Sequence, residues 1–331
     1  MSADKVQPHG ASSHSVSARE IEVTVIICTF NRAEMLSRTL ASFFEQPSLA
    51  SHAFELLVID NNSTDETNQV VERFLTHREL RYVFEPKQGL SAARNRGVAE
   101  AKGRYVSFLD DDVLVDMDWM SELVRAFRET GALAVGGRSL LVFDADPPDW
   151  FGPEFRKLLS EVDLGDSRRV VPGGRGLFGL NLAFEKSALQ AVGGFDENLG
   201  RSGNALLGGE EVAVLRRIFE KGGGIVYEPG ALVGHIIEPK RMEWEYFERL
   251  AAGIGKSLAI RQWPGGGVKR IALGGLYVAA LIRDWIGAVW QGFRLGDAYL
   301  QRRAERRLIT SRSRVSTWRS LLRSMETREE R

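Results

Sequence analysis

Cysteine is nearly absent. Cys28 is the only one in 331 residues, which excludes a disulfide framework and a cysteine-built zinc site within the chain. Cys28 lies in the apolar run VTVIICTF and reads as a small buried hydrophobe, because no histidine is signalled beside it to make a reactive thiol. Net charge is missing too. The 44 basic residues balance 44 acidic ones, so no global field draws the chain to nucleic acid. No uninterrupted apolar run reaches the roughly eighteen residues of a membrane-spanning helix. Residues 1–19 are rich in Ser, His and Ala and have no apolar h-region, so the expectation there is a disordered tail and not a secretory signal. The expected location is the cytoplasm, with a peripheral place at the inner face of the membrane as the alternative.

What remains is a globular composition, 44% hydrophobic and 27% charged, long enough for one large domain or two smaller ones. Residues 23–29 are β-branched and nearly all apolar, as a strand buried on both faces requires. A helical pattern follows over 33–44, with Met35, Leu36, Leu40 and Phe43 on one face and Pro47 closing it. Further strands are expected at 54–59, 80–84 and 105–109, and helices at about 65–75 and 89–101. Strand and helix alternate, so the first half reads as a doubly wound α/β layer, in which ligands sit at the carboxyl ends of the strands. Polar clusters fall at three of these ends, at residues 29–32, 60–63 and 110–112. Singly, Asn31 and Arg32 are a helix cap and Asp60 is turn chemistry. Together they point to one crevice.

The last cluster is Asp110-Asp111-Asp112, directly after an apolar strand. Three adjacent carboxylates repel one another, and a divalent cation with oxygen ligands relieves that repulsion. An acidic turn before the helix at 119–130 is the plainer alternative. Downstream come a strand at 132–137, a proline-rich aromatic loop at 143–155, and a glycine-rich stretch at 173–179 that has no GK[ST] and is not a P-loop. A strand at 181–184 and a helix at 186–192 follow. Gly208-Gly209-Glu210-Glu211 then opens a helix at 212–221, and a strand at 225–227 precedes His235.

The strings VTVIICTFNR, ELLVIDNNSTDET, GLSAARNRGVAEAKGRYVSFLDDD, GGFDENLG and GGEEVAVLRRIFEKGG together resemble family 2 glycosyltransferases, nucleotide-sugar-dependent enzymes of GT-A fold. The resemblance covers about residues 21–235. It implies a Rossmann-like, doubly wound mixed sheet flanked by helices, with a helical C-terminal extension. It also implies roles. Thr29, Asn31 and Arg32 would line the nucleotide pocket, Asp60 would contact the base, Asn62 would belong to the nucleotide set, and Arg94 and Asn95 would lie near the nucleotide. Asp110 and Asp112 would hold Mg²⁺ or Mn²⁺ against the diphosphate, where the cation offsets leaving-group charge. Asp111, the variable middle position, is counted with the nucleotide set. Glu211 inherits the base role, with Glu210 as the fallback, and adjacent carboxylates raise one pKa toward a useful range. The plainer reading is that both acids complement the helix dipole. His235 is either a further metal ligand or structural. Trp150, between Asp149 and Phe151, is either an acceptor element or core packing.

The implied activity is an inverting transfer of sugar from a nucleotide diphosphate to a hydroxyl on a glycan or lipid-linked acceptor, in envelope glycan synthesis. A nucleotidyltransferase and a non-catalytic nucleotide-sugar-binding protein are the rivals. The expected organisation is a tail at 1–20, a catalytic domain at 21–240 with its nucleotide half at 21–115 and acceptor half at 116–240, and a helical extension at 241–331. That extension carries ten arginines against four glutamates from residue 300 on, which suits an anionic lipid surface. Its apolar segment at 268–293 suits a membrane interface, a packed helix or a dimer contact. Oligomeric state stays open.

Overall fold

The computed structural model describes residues 20–203, 205–263, 267–292 and 298–329. Apart from Glu20, the expected disordered tail lies outside them. Strands β1 (Val23–Thr29), β2 (Phe54–Asp60), β3 (Leu80–Phe84) and β4 (Tyr105–Asp110) pair in parallel, in the spatial order β3-β2-β1-β4. Helices α1 (Ala33–Phe44), α2 (Thr67–Phe74) and α3 (Leu90–Glu100) connect them. β1 buries every side chain but Cys28, because helices cover both of its faces.

The chain continues through β5 (Val113–Val115), α4 (Trp119–Thr130), β6 (Ala134–Phe143), α5 (Pro153–Leu158) and β7 (Arg169–Val170). Then come β8 (Asn181–Glu185), α6 (Lys186–Ala191), α7 (Glu210–Glu220) and β9 (Ile225–Ile237). Among the described residues the sheet has nine strands, in the order β3-β2-β1-β4-β8-β6-β9-β5, with β7 paired to β9. β8 runs antiparallel to β4 and β6. This is the mixed, helix-flanked α/β sheet that the sequence predicts. The core lies on its two faces. Leu36, Phe43, Trp119 and Leu123 fill one, and Val98, Leu189, Leu215 and Ile218 fill the other.

Two segments differ from the sequence reading. β9 is a single strand of 13 residues, where a short strand and a separate apolar stretch were expected. Gly137 pairs with Glu228 and Arg138 with Leu232, so residues 229–231 bulge out of register. Pro229 has no amide to donate, and a bulge is where a strand tolerates it. The aromatic segment at 143–155 is no simple loop either, since β6 reaches Phe143 and α5 starts at Pro153. Trp150 stacks edge-on against Phe155, Trp244 and Phe247, at 5.2, 5.7 and 5.5 Å between centroids.

That cluster seals α8 (Trp244–Arg261) onto the sheet. Helix α10 (Ala298–Glu329) packs along both α8 and α9 (Gly267–Gly292), and Arg303 and Arg306 pair with Glu154 of α5. α8 also comes very close to the loop before α7. A Cβ on Gly253 would lie 1.9 Å from the Leu206 carbonyl oxygen.

Candidate active site

The carboxyl ends of β1 and β4 and the start of α7 border one cavity of about 660 Å³. Thr29, Arg32, Asn61, Arg94, Asp110, Asp111, Glu210 and Glu211 all lie on its wall. Asn31, Asp60, Asn62, Asn95, Asp112 and His235 do not.

The loops after β1 and β2 are laced together. The Asn31 amide donates to Ser63 Oγ at 3.0 Å, and Asn31 Oδ1 accepts the Thr64 N–H at 2.7 Å. Asn31 adopts φ 52 and Asn62 φ 69, a left-handed conformation that asparagine tolerates better than most residues. Asp65 accepts the Ala33 N–H at 3.0 Å, capping α1 from the neighbouring loop. Asp60 has both oxygens engaged, by the Ser63 N–H at 2.9 Å and the Tyr82 hydroxyl at 2.6 Å. Asn61, not singled out by the sequence reading, faces the cavity. Its Oδ1 accepts the Gly89 N–H at 2.7 Å and its Nδ2 donates to the carbonyls of Glu85 and Lys87. Asn95 pins the 193–196 turn by a reciprocal pair with the Phe195 backbone, 2.9 Å each way.

The three aspartates divide. Asp110 is the most open, with 34% of its side chain exposed, 3.5 Å from Arg94. Asp111 accepts from the Thr29 hydroxyl at 2.7 Å and lies 3.2 Å from Arg32. Burial is the main force raising its pKa to about 6, with Arg32 opposing and Asp112 adding to the rise. Asp112 is buried, and one oxygen, Oδ2, accepts from both Arg32 at 2.8 Å and Arg241 at 2.7 Å. Burial works against its charge, but Arg32, His235 and Arg241 together hold Asp112 well below the usual carboxylate range. Its other oxygen, Oδ1, is buried with no hydrogen-bond partner among the described residues.

His235 lies next to Asp112. Its Nδ1 is 2.8 Å from the Leu159 carbonyl, which only accepts, so Nδ1 carries the proton. Its Nε2 lies 3.4 Å from Asp112 Oδ2 and 3.0 Å from Arg241 Nη1. Arg241 Nη1, an NH₂ group, therefore touches both Asp112 and His235. The expected ligands Asp110, Asp112 and His235 do not converge on the cavity, because Arg32 and Arg241 hold Asp112 back from it. Among the described residues no three His, Cys, Asp or Glu side chains group tightly enough to hold a metal ion. The residues still fit a hard cation that needs only one or two protein carboxylates when phosphates complete its shell. Asp110 is reachable from the cavity, and Asp112 keeps an unused oxygen.

Gly209, at φ 87, turns the chain into α7 and brings Glu210 and Glu211 to the wall. Arg94, buried under the rings of Phe108 and Phe195, binds Glu210 Oε1 at 2.6 Å. Breaking such a buried pair costs about 3–5 kcal/mol. Arg94 thus links Asp110 on β4 to Glu210 on α7. Among the described residues Glu211 has no such partner. Burial, and then the charge of Glu210, raise its carboxyl from 4.5 to about 8. Cys28, half-buried, lies on the same wall, and the surrounding protein desolvates its thiol and pushes it up to about 12, which disfavours the thiolate. The arrangement offers a carboxyl poised to take a proton near neutrality, facing the cavity that Asp110 borders.

The family model for Glycosyl transferase family 2 matches residues 24–187, about half of the chain, and spans both the β1 loop and the aspartates. The chain is a family 2 glycosyltransferase. It is 28% identical over 253 residues to the glucosyl-dolichyl phosphate glucuronosyltransferase of Haloferax volcanii, covering 74% of this chain and 79% of that one. It is 26% identical over 239 residues to the succinoglycan biosynthesis protein ExoM of Rhizobium meliloti, covering 70% and 73%. Among solved structures it resembles the mannosyltransferase PcManGT from Pyrobaculum calidifontis in complex with GDP-Man and Mn²⁺. That match has a TM-score of 0.54 and 20% identity over 92% of this chain and 79% of that one, which shows the GT-A fold.

Two cations of this family 2 glycosyltransferase escaped the sequence reading. Arg241 lies beyond the recognisable motifs, and no local pattern ties it to Asp112, 129 positions away. Arg201 lines the cavity and sits within electrostatic reach of Asp110 and Asp112. It follows the GGFDENLG string directly, and that adjacency was the available signal.

Proposed function

We propose that the chain transfers a sugar from a nucleotide diphosphate to an acceptor hydroxyl with inversion at the anomeric carbon. The hydroxyl oxygen forms the new bond to that carbon while its proton passes to Glu211. The bond to the diphosphate breaks, and the nucleoside diphosphate leaves with the electron pair. The observation that carries this reading is the pair at the start of α7. Glu210 is neutralised by Arg94, and Glu211 is left free on the wall of the cavity that Asp110 and Asp111 also line.

Thr29, Arg32 and Asn61 hold the nucleotide from the wall. Asn31, Asp60 and Asn62 shape its base pocket through the turns they brace, and Asn95 fixes the turn beneath α3. A Mn²⁺ or Mg²⁺ ion would be held by Asp110 and Asp112, with His235 behind them, and would supply Lewis-acid neutralisation of the diphosphate. Arg32 and Arg241 keep Asp112 charged and oriented. Asp111, fixed by Thr29, is a lining residue.

The setting is synthesis of an envelope glycan, on a glycan or lipid-linked acceptor. Helix α9 leaves Leu276, Ile282, Trp285 and Ile286 exposed, a face suited to a membrane interface. No described helix is long and apolar enough to cross a membrane. The test is a panel of nucleotide sugars, with and without Mn²⁺, scored for nucleoside diphosphate release and for donor binding. Donor-dependent release that requires the metal supports the proposal. Equal release after chelation removes the metal from it, and binding without release to any acceptor leaves a binding protein.

A further inference from the structure

Between α6 and α7 the chain reaches the cavity wall at Arg201. The backbone there is fixed. The Ser91 hydroxyl donates to the Leu199 carbonyl at 2.8 Å, and the Leu90 N–H donates to the Arg201 carbonyl at 2.8 Å. Gly200, at φ 88, lets the chain pass between Ser91 and Glu210. A Cβ there would lie 2.9 Å from Ser91 Oγ and 3.5 Å from Glu210 Cδ. The anchor is the first turn of α3, and Asn61 on the cavity wall binds Gly89 just before it. Position 201 is thus set by the same frame that sets the nucleotide wall.

The Arg201 side chain is not held. It is exposed, lines the cavity, and has no ion pair or side-chain hydrogen bond among the described residues. The cations around it are spoken for. Arg32 pairs with Asp111, Asp112 and Glu238, Arg94 with Glu210, and Arg241 with Asp112. Two carboxylates, Asp110 and Asp112, act on Arg201 and favour its charge, while Arg32, on the same cavity wall, opposes it. An anion seated between Arg32 and Arg201 would relieve that repulsion.

The transfer reading supplies such an anion. A departing nucleoside diphosphate gains a further negative charge as the sugar bond breaks, and one divalent ion does not cancel all of it. A guanidinium meets phosphate oxygens two at a time and stays charged throughout. An exposed arginine on a rigid backbone, beside the aspartates, is placed to do this without moving a proton. An acceptor hydroxyl at Glu211 is neutral and makes no such demand.

We infer that Arg201 binds the diphosphate of the donor and stabilises it as the leaving group. This adds a catalytic residue to the transfer proposed above and rests on that reading.

The test uses the full chain, with the parent beside Arg201→Gln and Arg201→Lys. UDP, GDP, UMP and GMP are titrated by calorimetry, once with Mn²⁺ and once with EDTA. For the diphosphate that the parent binds, Arg201→Gln should lose about tenfold in affinity in both conditions, and the matching monophosphate should change little. Arg201→Lys should keep part of the difference, because it retains the charge without the fork. Both variants should melt within a few degrees of the parent, as an exposed side chain allows. In turnover, kcat should fall by about 10²-fold in Arg201→Gln, with acceptor KM held. Equal loss of diphosphate and monophosphate affinity, unchanged diphosphate affinity, or an effect confined to acceptor KM would each overturn the inference and leave the transfer reading standing. A parent that binds no nucleoside diphosphate and turns over no donor would overturn the transfer reading itself.

Discussion

On the proposed mechanism, Glu211 concentrates the chemistry in one carboxyl. Burial and the neighbouring Glu210 raise its pKa to about 8, so kcat/KM should rise with pH, reach half its maximum near pH 8 and level off above about pH 9, as the group loses its proton and becomes a base. A flat profile from about pH 6 upward would put the base elsewhere. Stability should run the opposite way. Between the ordinary carboxylate range and about pH 8 the unfolded chain ionises Glu211 and the folded one does not, so stability falls as pH rises through that window. Glu211→Gln has no such charge to bury. Its melting temperature should overtake that of the parent by a few degrees at about pH 9, read by thermal denaturation at several pH values. Arg241 allows a second forecast. Its Nη1 fills the place between Asp112 and His235, so Arg241→Gln should tighten Mn²⁺ binding to the donor-free protein by about tenfold, the worth of one charge-assisted hydrogen bond. The free Mn²⁺ resonance signal measures this, and unchanged affinity would count against His235 and Asp112 as ligands. Glu210, Glu211 and the aspartates were legible because each stands in a short string at an element end. The partners that set their behaviour were not. Arg94 meets Glu210 across 116 positions and Arg241 meets Asp112 across 129, and only the folded sheet joins them.

The strands and helices of the first half were equally legible, since buried parallel strands read as apolar runs and their helices carry one apolar face. β9 was not. Pro229 and Gly230 look like a break in the sequence, yet the strand continues past them because residues 229–231 bulge out and β9 rejoins β6 at Leu232. The segment before α5 misled for a similar reason. Its prolines and glycine signal loop, while its aromatics are the core under α8. That packing leaves α8 little freedom where it meets the loop before α7. Gly253→Ala would place a methyl group 1.9 Å from the Leu206 carbonyl oxygen, and relieving the clash should cost about 1–3 kcal/mol. It should also displace the wall opposite Glu211. Denaturant unfolding measures the first effect. A rise in acceptor KM with donor KM unchanged measures the second, and a loss confined to donor KM would contradict it.

The molecule as a whole is a sheet with its cavity at the carboxyl ends of central strands and a helical cover, α8 to α10, of which α8 completes the cavity wall. The family's motifs end before that cover, so its contribution was open on sequence alone. It was read as membrane-facing, packed or dimeric. In the structure α8 and α10 pack on the catalytic body, while α9 keeps an apolar face outward with Trp285 on it. The protein should therefore float with vesicles rich in anionic lipid. Trp285→Ser with Ile286→Ser should reduce flotation severalfold, and raised salt should weaken what the basic α10 contributes. Equal recovery of parent and variant would leave α9 to another contact. The most direct test of sugar transfer from this cavity is Glu211→Gln, assayed beside the parent for nucleotide-sugar turnover and for donor binding. Turnover should fall by about 10²–10⁴-fold with donor affinity held. Parent-like turnover in the variant would contradict the assignment of Glu211 as the base.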